Sequence, residues 1–382
     1  MSRNRVIYQS ESLFVSQDVG STSTGAHHEL IRVQSANYGF TINRQDVNQY
    51  GNLARIDSLV LEPPTVNFDF SYYLGDGYNE KALGFNIADG GQFASGQLES
   101  NSGRNFYIVT SDEGQDSTTF SGGDPYSLIG IGNAFLSDYT VDLSVGSLPT
   151  VNVSFEASNI NSQGGVVAGN DFSDFNMTGA LPSVNPEIGV VIPGTAAILV
   201  PADIGETGIG GTKPTALRPG DITLEFPGFD GGELESGTLS TISGGGSFHV
   251  QSASLSVPLS RSPIERVGSK FPFARVVDLP ANGSLTVNAV LNTVEAGNLA
   301  TIIAGCGGDS DKQVAIKVNT CEGTEAIQWT LKGATLDSES FSSSIGSNKT
   351  VDITFGVQLG GIDDTSRGIT CSGAAKNLTI FQ

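Results

Sequence analysis

The stretch GSLPTVNVSF at 146–155 returns as GSNKTVDITF at 346–355, and VQSANYGFTINRQDVNQYG at 33–51 lies without gaps on VQSASLSVPLSRSPIERVG at 250–268. The longer match keeps Val33/Val250, Gln34/Gln251, Ser35/Ser252, Ala36/Ala253, Arg44/Arg261 and Gly51/Gly268, and LARI at 53–56 resembles FARV at 273–276. Two anchors in the same order, offset by 217 and then by 200, mean that the chain is written twice. Such a chain must fold as two related units. The boundaries read as a first copy over 1–158, a connector over 159–218 and a second copy over 219–382. The connector is set off by Pro182, Pro186, Pro193, Pro201 and Pro214 and by GGVVAG and GETGIGG. At that length it is long for a passive linker, so part of it is expected to pack on a domain or a neighbouring subunit.

Inside each copy the apolar residues recur at every second position. Val66, Phe68, Phe70 and Tyr72 alternate with polar neighbours, as do Tyr139, Val141, Leu143 and Val145. The repeated strand carries Val151, Val153 and Phe155 in the first copy and Val351, Ile353 and Phe355 in the second. Period two with one apolar face predicts half-buried antiparallel sheet, so each copy is expected to be a β-sandwich or small barrel. Helix is scarce: EAGNLATIIA at 295–304 and its weaker counterpart NEKALGF at 79–85 predict one short flanking helix per copy. The abundant glycine (49 residues) and the low charged fraction (15 %) agree with an all-β chain rich in turns.

A formal charge of −21 argues against a groove built to neutralise nucleic-acid phosphates. The same sign suits a surface past which DNA slides without sticking. The N-terminus lacks the apolar run of a signal peptide, and IGVVIPGTAAILV at 188–200 is too short and Pro-broken for a membrane span, so synthesis in a cytoplasm is expected. Cys306, Cys321 and Cys371 make no metal or redox spacing and leave an odd thiol over.

No constellation predicts catalysis. His27, His28 and His249 have no H-x-x-x-H spacing, and the acidic runs Asp112, Glu113, Asp116 and Asp309, Asp311 lack the calcium-loop pattern. No G-x-S-x-G and no P-loop occurs. The single tryptophan, Trp329, is thin provision for a sugar-binding platform. The expectation is a protein that is not an enzyme, with no cofactor and no metal.

LEPPTVNFDFSYYLGDGYNEKALGF at 61–85 with NFYIVTSDEGQDS at 105–117 resembles the tail tube proteins of long-tailed bacteriophages. That resemblance implies a β-sandwich or small barrel with a flanking helix, whose sheets join around a ring and line a channel. It also implies that a chain with a duplicated tube domain closes a pseudo-sixfold ring with three copies. The implied location is the virion tail, and the implied partners are the chain itself, the tape measure, tail tip and terminator proteins, and genome DNA passing through without specific binding. The loop Gly75, Asp76, Gly77, Tyr78, Asn79, Glu80, within a loop-rich 75–104 segment, and the connector are the candidates for ring-to-ring contacts. Competing readings are a head decoration or tail terminator protein, a tandem adhesion or glycan-binding module, and a hydrolase on a β-scaffold.

Overall fold

A computed structural model describes residues 10–16, 27–61, 65–88, 91–99, 103–111, 125–167, 182–184, 191–193, 222–225, 248–265, 274–291, 313–320, 323–342 and 350–377, with Ser117, Leu217, Val267 and Asn348. The first copy runs through β1 (Glu11–Ser16), β2 (His27–Glu29), β3 (Val33–Thr41), the hairpin β4 (Arg44–Val47) and β5 (Asp57–Val60), and β6 (Thr65–Tyr73). Helices α1 (Tyr78–Leu83) and α2 (Ser95–Glu99) follow, then β7 (Arg104–Thr110), β8 (Pro125–Ser144), β9 (Thr150–Ala157) and β10 (Asn159–Val167). Two short strands, β11 (Pro182–Val184) and β12 (Val191–Pro193), pair with each other between the copies. The second copy comprises β13 (Ile222–Glu225), β14 (Phe248–Pro258), the hairpin β15 (Arg261–Ile264) and β16 (Ala274–Val277), β17 (Asn282–Leu291), β18 (Gln313–Asn319), β19 (Glu325–Lys332), β20 (Thr335–Ser342), β21 (Thr350–Gln358) and β22 (Gly368–Gly373), and a 3-10 turn at Ala374–Asn377.

Each copy is built from two antiparallel sheets. In the first copy these are β3-β6-β9-β8 and β2-β1-β7-β8-β10; in the second they are β14-β17-β21-β20 and β13-β18-β19-β22. The repeat is visible residue by residue in the registers. Tyr38 opposes Phe68 and Leu255 opposes Leu285, 217 later on both strands, and each strand pair slips by one residue at its glutamine, Gln34 or Gln251. Likewise Tyr139 opposes Val153 and Glu339 opposes Ile353, 200 later, with the slip at Ser137 or Asp337. A β-bulge leaves an extra residue unpaired and bends its strand, so matching bulges mean matching curvature.

One strand is treated differently in the two copies. In the first, β8 passes unbroken from one sheet to the other; in the second the same path is divided into β19 and β20. The crossing needs a left-handed backbone in both: Asn133 has φ 54° and Gly333, 200 residues later, has φ 71°. Asparagine tolerates that conformation better than most side chains, and here its amide carbonyl also accepts the Gly103 N–H at 3.2 Å.

The alternating apolar positions fill one connected core. Phe68, Phe70, Phe106 and Phe155 pack together in the first copy, with Phe106 and Phe155 edge-on at 4.7 Å. Trp329, Val314, Ile316, Leu331 and Phe355 are buried in the second. Burying such side chains is worth roughly 1.5–3 kcal/mol each, which is what holds two sheets face to face. Trp329 is in that core and offers no exposed platform.

Four expectations need correction. LARI at 53–56 is not the counterpart of FARV: the hairpin register puts Asp57–Val60 opposite Arg44–Val47 just as Ala274–Val277 lies opposite Arg261–Ile264, an offset of 217. The connector starts later than 159, because Asn159–Val167 is β10, hydrogen-bonded along β8; its glycines hid the strand alternation. The first copy has two short helices rather than one, while EAGNLATIIA at 295–304 lies outside the described residues. Val145 falls in the turn after β8 and is exposed. Among the described residues no helix is long and apolar enough to cross a membrane.

Candidate functional site

The two copies are joined by backbone. β8, the last strand of the first polar-faced sheet, pairs antiparallel with β14, the first strand of the second, with Asp138–Ser144 opposite Pro258–Ser252. The result is one eight-stranded run, β3-β6-β9-β8-β14-β17-β21-β20. At this seam Ser254 donates to Asp142 at 2.7 Å, and beyond the ladder Val145 N–H reaches the Gln251 carbonyl and Leu259 N–H the Ser137 carbonyl, both at 2.9 Å.

Side chains reinforce the seam on both flanks. Arg261 donates to the Gln97 carbonyl at 2.6 Å and lies 5.1 Å from the centre of the Phe135 ring. Arg275 pairs with Glu156 at 2.9 Å. The α1–α2 segment of the first copy also clasps the second. Lys81 donates to the carbonyls of Ala375 and Lys376, Phe93 N–H reaches the Ile369 carbonyl at 2.7 Å, and Gln92 donates to the carbonyls of Asp364 and Arg367. Gly77 begins α1 at φ 91°, and a Cβ there would press on Ile87 at 2.9 Å and meet Ile327 of the second copy at 3.6 Å.

This placement revises the loop Gly75, Asp76, Gly77, Tyr78, Asn79, Glu80. Tyr78, Asn79 and Glu80 are the first turn of α1 and are buried, so they are not available for contacts between rings. The helix is drawn inward by polar bonds that sequence periodicity does not show: Asn79 exchanges hydrogen bonds with the backbone of Ile31, and Glu80 accepts from Tyr72 at 2.8 Å and Tyr139 at 3.2 Å. Burial lifts the Glu80 carboxyl to about 7, and also raises the phenols of Tyr72 and Tyr139 and the thiol of Cys371.

The repeated residues Val151, Val153, Phe155 and Val351, Ile353, Phe355 lie on β9 and β21, buried and in the same place in the two sheets. Their polar neighbours form the opposite face. Along the eight strands this face presents Asp69, Asp138, Asp142, Glu156, Asp337 and Asp352 among Ser, Thr and Asn, and no lysine or arginine alternates onto it among the described residues. Among the described residues two arginines reach its rim, Arg275 paired with Glu156 and Arg261 beside the Phe135 ring that lies opposite Glu156. His28 and His249 lie on β2 and β14. Among the described residues no group of three His, Cys, Asp or Glu gathers as for a metal ion. The acidic runs at 112–116 and 309–311, with Cys306 and Cys321, lie outside the described residues.

The ends of the run are β3 and β20, whose outer edges face no partner strand among the described residues. Tyr38 and Phe40 on β3 occupy the positions of Leu255 and Val257 on β14. Leu255 and Val257 are 1 % and 0 % exposed because β8 covers them, whereas Tyr38 and Phe40 are 45 % and 56 % exposed. Arg44, the repeat of Arg261, is exposed beside them. The 33–51/250–268 alignment already held this signal, but only the pairing of β14 with β8 shows what the equivalent edge lacks.

No protein-family model matches the chain, and no curated protein matches it. Among solved structures, a chain of the tube-terminating cap of the anti-feeding prophage is similar at 12 % identity over 40 % of this chain and 89 % of that one, with a TM-score of 0.26. A chain of the anti-feeding prophage baseplate is similar at 14 % identity over 41 % of this chain and 93 % of that one, with the same score. Likenesses that loose fix neither the fold nor the role.

Proposed function

We propose that this chain is a non-catalytic structural protein of a bacteriophage tail, made in the host cytoplasm, whose copies close into rings that stack as the tail tube. The observation that carries the reading is the seam. β8 pairs with β14, and the outer edges of β20 and β3, which have no partner strand among the described residues, belong to the repeats of those same two strands. A head-to-tail interface that repeats an internal one propagates from chain to chain until it closes. Each chain then contributes eight strands to one continuous sheet, and three chains give six similar sectors. Exposed edges are otherwise an aggregation hazard, and closure removes them.

The polar face gives such a ring its use. If it lines the lumen, Asp69, Asp138, Asp142 and Asp352 repel passing phosphates and let DNA slide. The repulsion is screened within about 8 Å at physiological ionic strength, so it acts on DNA close to the wall. Tape measure, tail tip and terminator proteins are the proposed further partners.

Electron microscopy of concentrated protein, end-on and side-on, with the mass per ring, tests this reading. The expected result is a hollow tube whose ring weighs three chains and shows six lobes. Monomers or discrete knobs that refuse to stack, even when seeded with tail-tip complexes, would sink it. A chemical probe of the same edge transfers the Ser254–Asp142 pairing to its repeats: Asn37→Cys with Ser342→Cys is expected to form chain-to-chain disulfides in the assembly.

A further inference from the structure

We propose that the α1–α2 segment is a proton-controlled clasp between the two copies, with the Glu80 carboxyl as its trigger. Glu80 is fully buried. Its Oε1 accepts from Tyr72 on β6 and Tyr139 on β8, while its Oε2 has no hydrogen-bond partner among the described residues. Two further titratable groups act on it or feel its charge. One is the Asp76 carboxyl just before α1; the other is the Cys371 thiol on β22 of the second copy, which burial raises first and Glu80 next. No cation is among these four groups, so ionisation leaves a bare charged oxygen in the core where the copies meet.

The element that carries Glu80 is hinged. α1 is six residues long and lies between Gly77 and Gly84, both left-handed, at φ 91° and 97°. A helix that short has little stability of its own and keeps its place through what it touches. Besides Ile31, Tyr72 and Tyr139 of its own copy, the segment touches the second copy. Lys81 donates to the carbonyls of Ala375 and Lys376, and Ala375 N–H reaches the Asp76 carbonyl at 3.2 Å. Gln92 bridges to Thr370, and Phe93 N–H reaches the Ile369 carbonyl on the same strand.

The direction of the switch follows from the burial. The closed segment holds the Glu80 carboxyl at about 7, whereas a solvated one titrates at 4.5. The open segment therefore binds fewer protons between those values, and rising pH favours opening. From pH 6 to pH 8 the opening equilibrium is expected to grow about tenfold. The backbone ladder between β8 and β14 does not pass through α1, so opening bares the edge of β22 without parting the copies.

Amide hydrogen exchange of the full chain at pH 6 and pH 8, read by mass spectrometry and corrected for intrinsic exchange, tests the clasp. In peptides covering 91–99 and 364–377 the protection is expected to fall about tenfold between the two pH values. It should also stay below that of the seam peptides 138–145 and 252–259 and be insensitive to low urea, as a local opening is. Glu80→Gln should hold the clasp's protection constant. Clasp amides that match the seam amides in rate and urea dependence would overturn the proposal, because they would open only with the whole fold. Equal pH dependence in wild type and Glu80→Gln would overturn it too. Should Glu80→Gln fail to fold, the wild type decides through Trp329, the only tryptophan, which lies opposite Cys371 and is buried. Its quenching by acrylamide should rise from pH 6 to pH 8, and unchanged quenching overturns the proposal.

Discussion

Val257 and Phe40 hold the same place in two copies of one strand, yet the first is sealed in the core and the second is more than half exposed. The difference lies in the neighbour. β14 has β8 along its outer edge, and β3 has no strand there among the described residues. Burial at an edge position is thus a property of the pairing, and the two sites separate what the strand carries from what its partner supplies.

Breaking the pair gives the largest effect. Val257→Asp places a carboxylate in a closed apolar site, and a loss of at least about 3 kcal/mol, or failure to fold, is expected in denaturant titrations. Phe40→Asp should change the stability of the isolated chain by no more than about 0.5 kcal/mol while abolishing the ring in native mass measurements. Rings that persist in Phe40→Asp would mean that β3 is not the closing edge.

A second contrast concerns Tyr139 and Glu339, again 200 residues apart. Tyr139 is buried and donates to Glu80, whereas Glu339 lies exposed on an edge strand with its carboxyl raised by partial burial. A charge on an edge strand discourages pairing with unrelated strands. The Glu80 site predicts a pH effect of known sign. Its carboxyl goes from 4.5 to about 7 on folding, so the native state keeps a proton that the unfolded chain has released between those values. The group favours folding most below pH 4.5, loses that advantage as pH rises through about 7, and costs about 3 kcal/mol above it. Glu80→Gln should flatten this part of the profile, measured as the difference between variant and wild type in urea midpoints at pH 5 and pH 8. Equal differences at the two pH values would show that Glu80 is not held protonated.

The smallest effect sharpens the crossing strand. Asn133 and Gly333 share a left-handed backbone, so Gly333→Asn should be nearly neutral and Gly333→Val should cost about 1–2 kcal/mol, read from thermal melts. A neutral valine would mean that β19 and β20 are joined without that strain.

Much of the fold was legible in the residues. Alternation at Val66–Tyr72 and Val151–Phe155 predicts strands with one buried face, because a period of two is the geometry of the pleat. The 75–80 segment misled for the opposite reason. Glycine, aspartate and asparagine read as loop chemistry, while Asn79 and Glu80 are buried by bonds to Ile31, Tyr72 and Tyr139 that lie far along the chain or in another sheet.

The sequence by itself determined that the chain is all-β, duplicated and acidic, since periodicity, self-similarity and charge are local or additive properties. Only the tertiary structure decided that β8 of one copy meets β14 of the other, that six carboxylates share one face, and that among the described residues β3 and β20 are left as the open ends. Strand pairing is a choice among distant backbones whose hydrogen-bonding groups are chemically alike, and packing in three dimensions makes it.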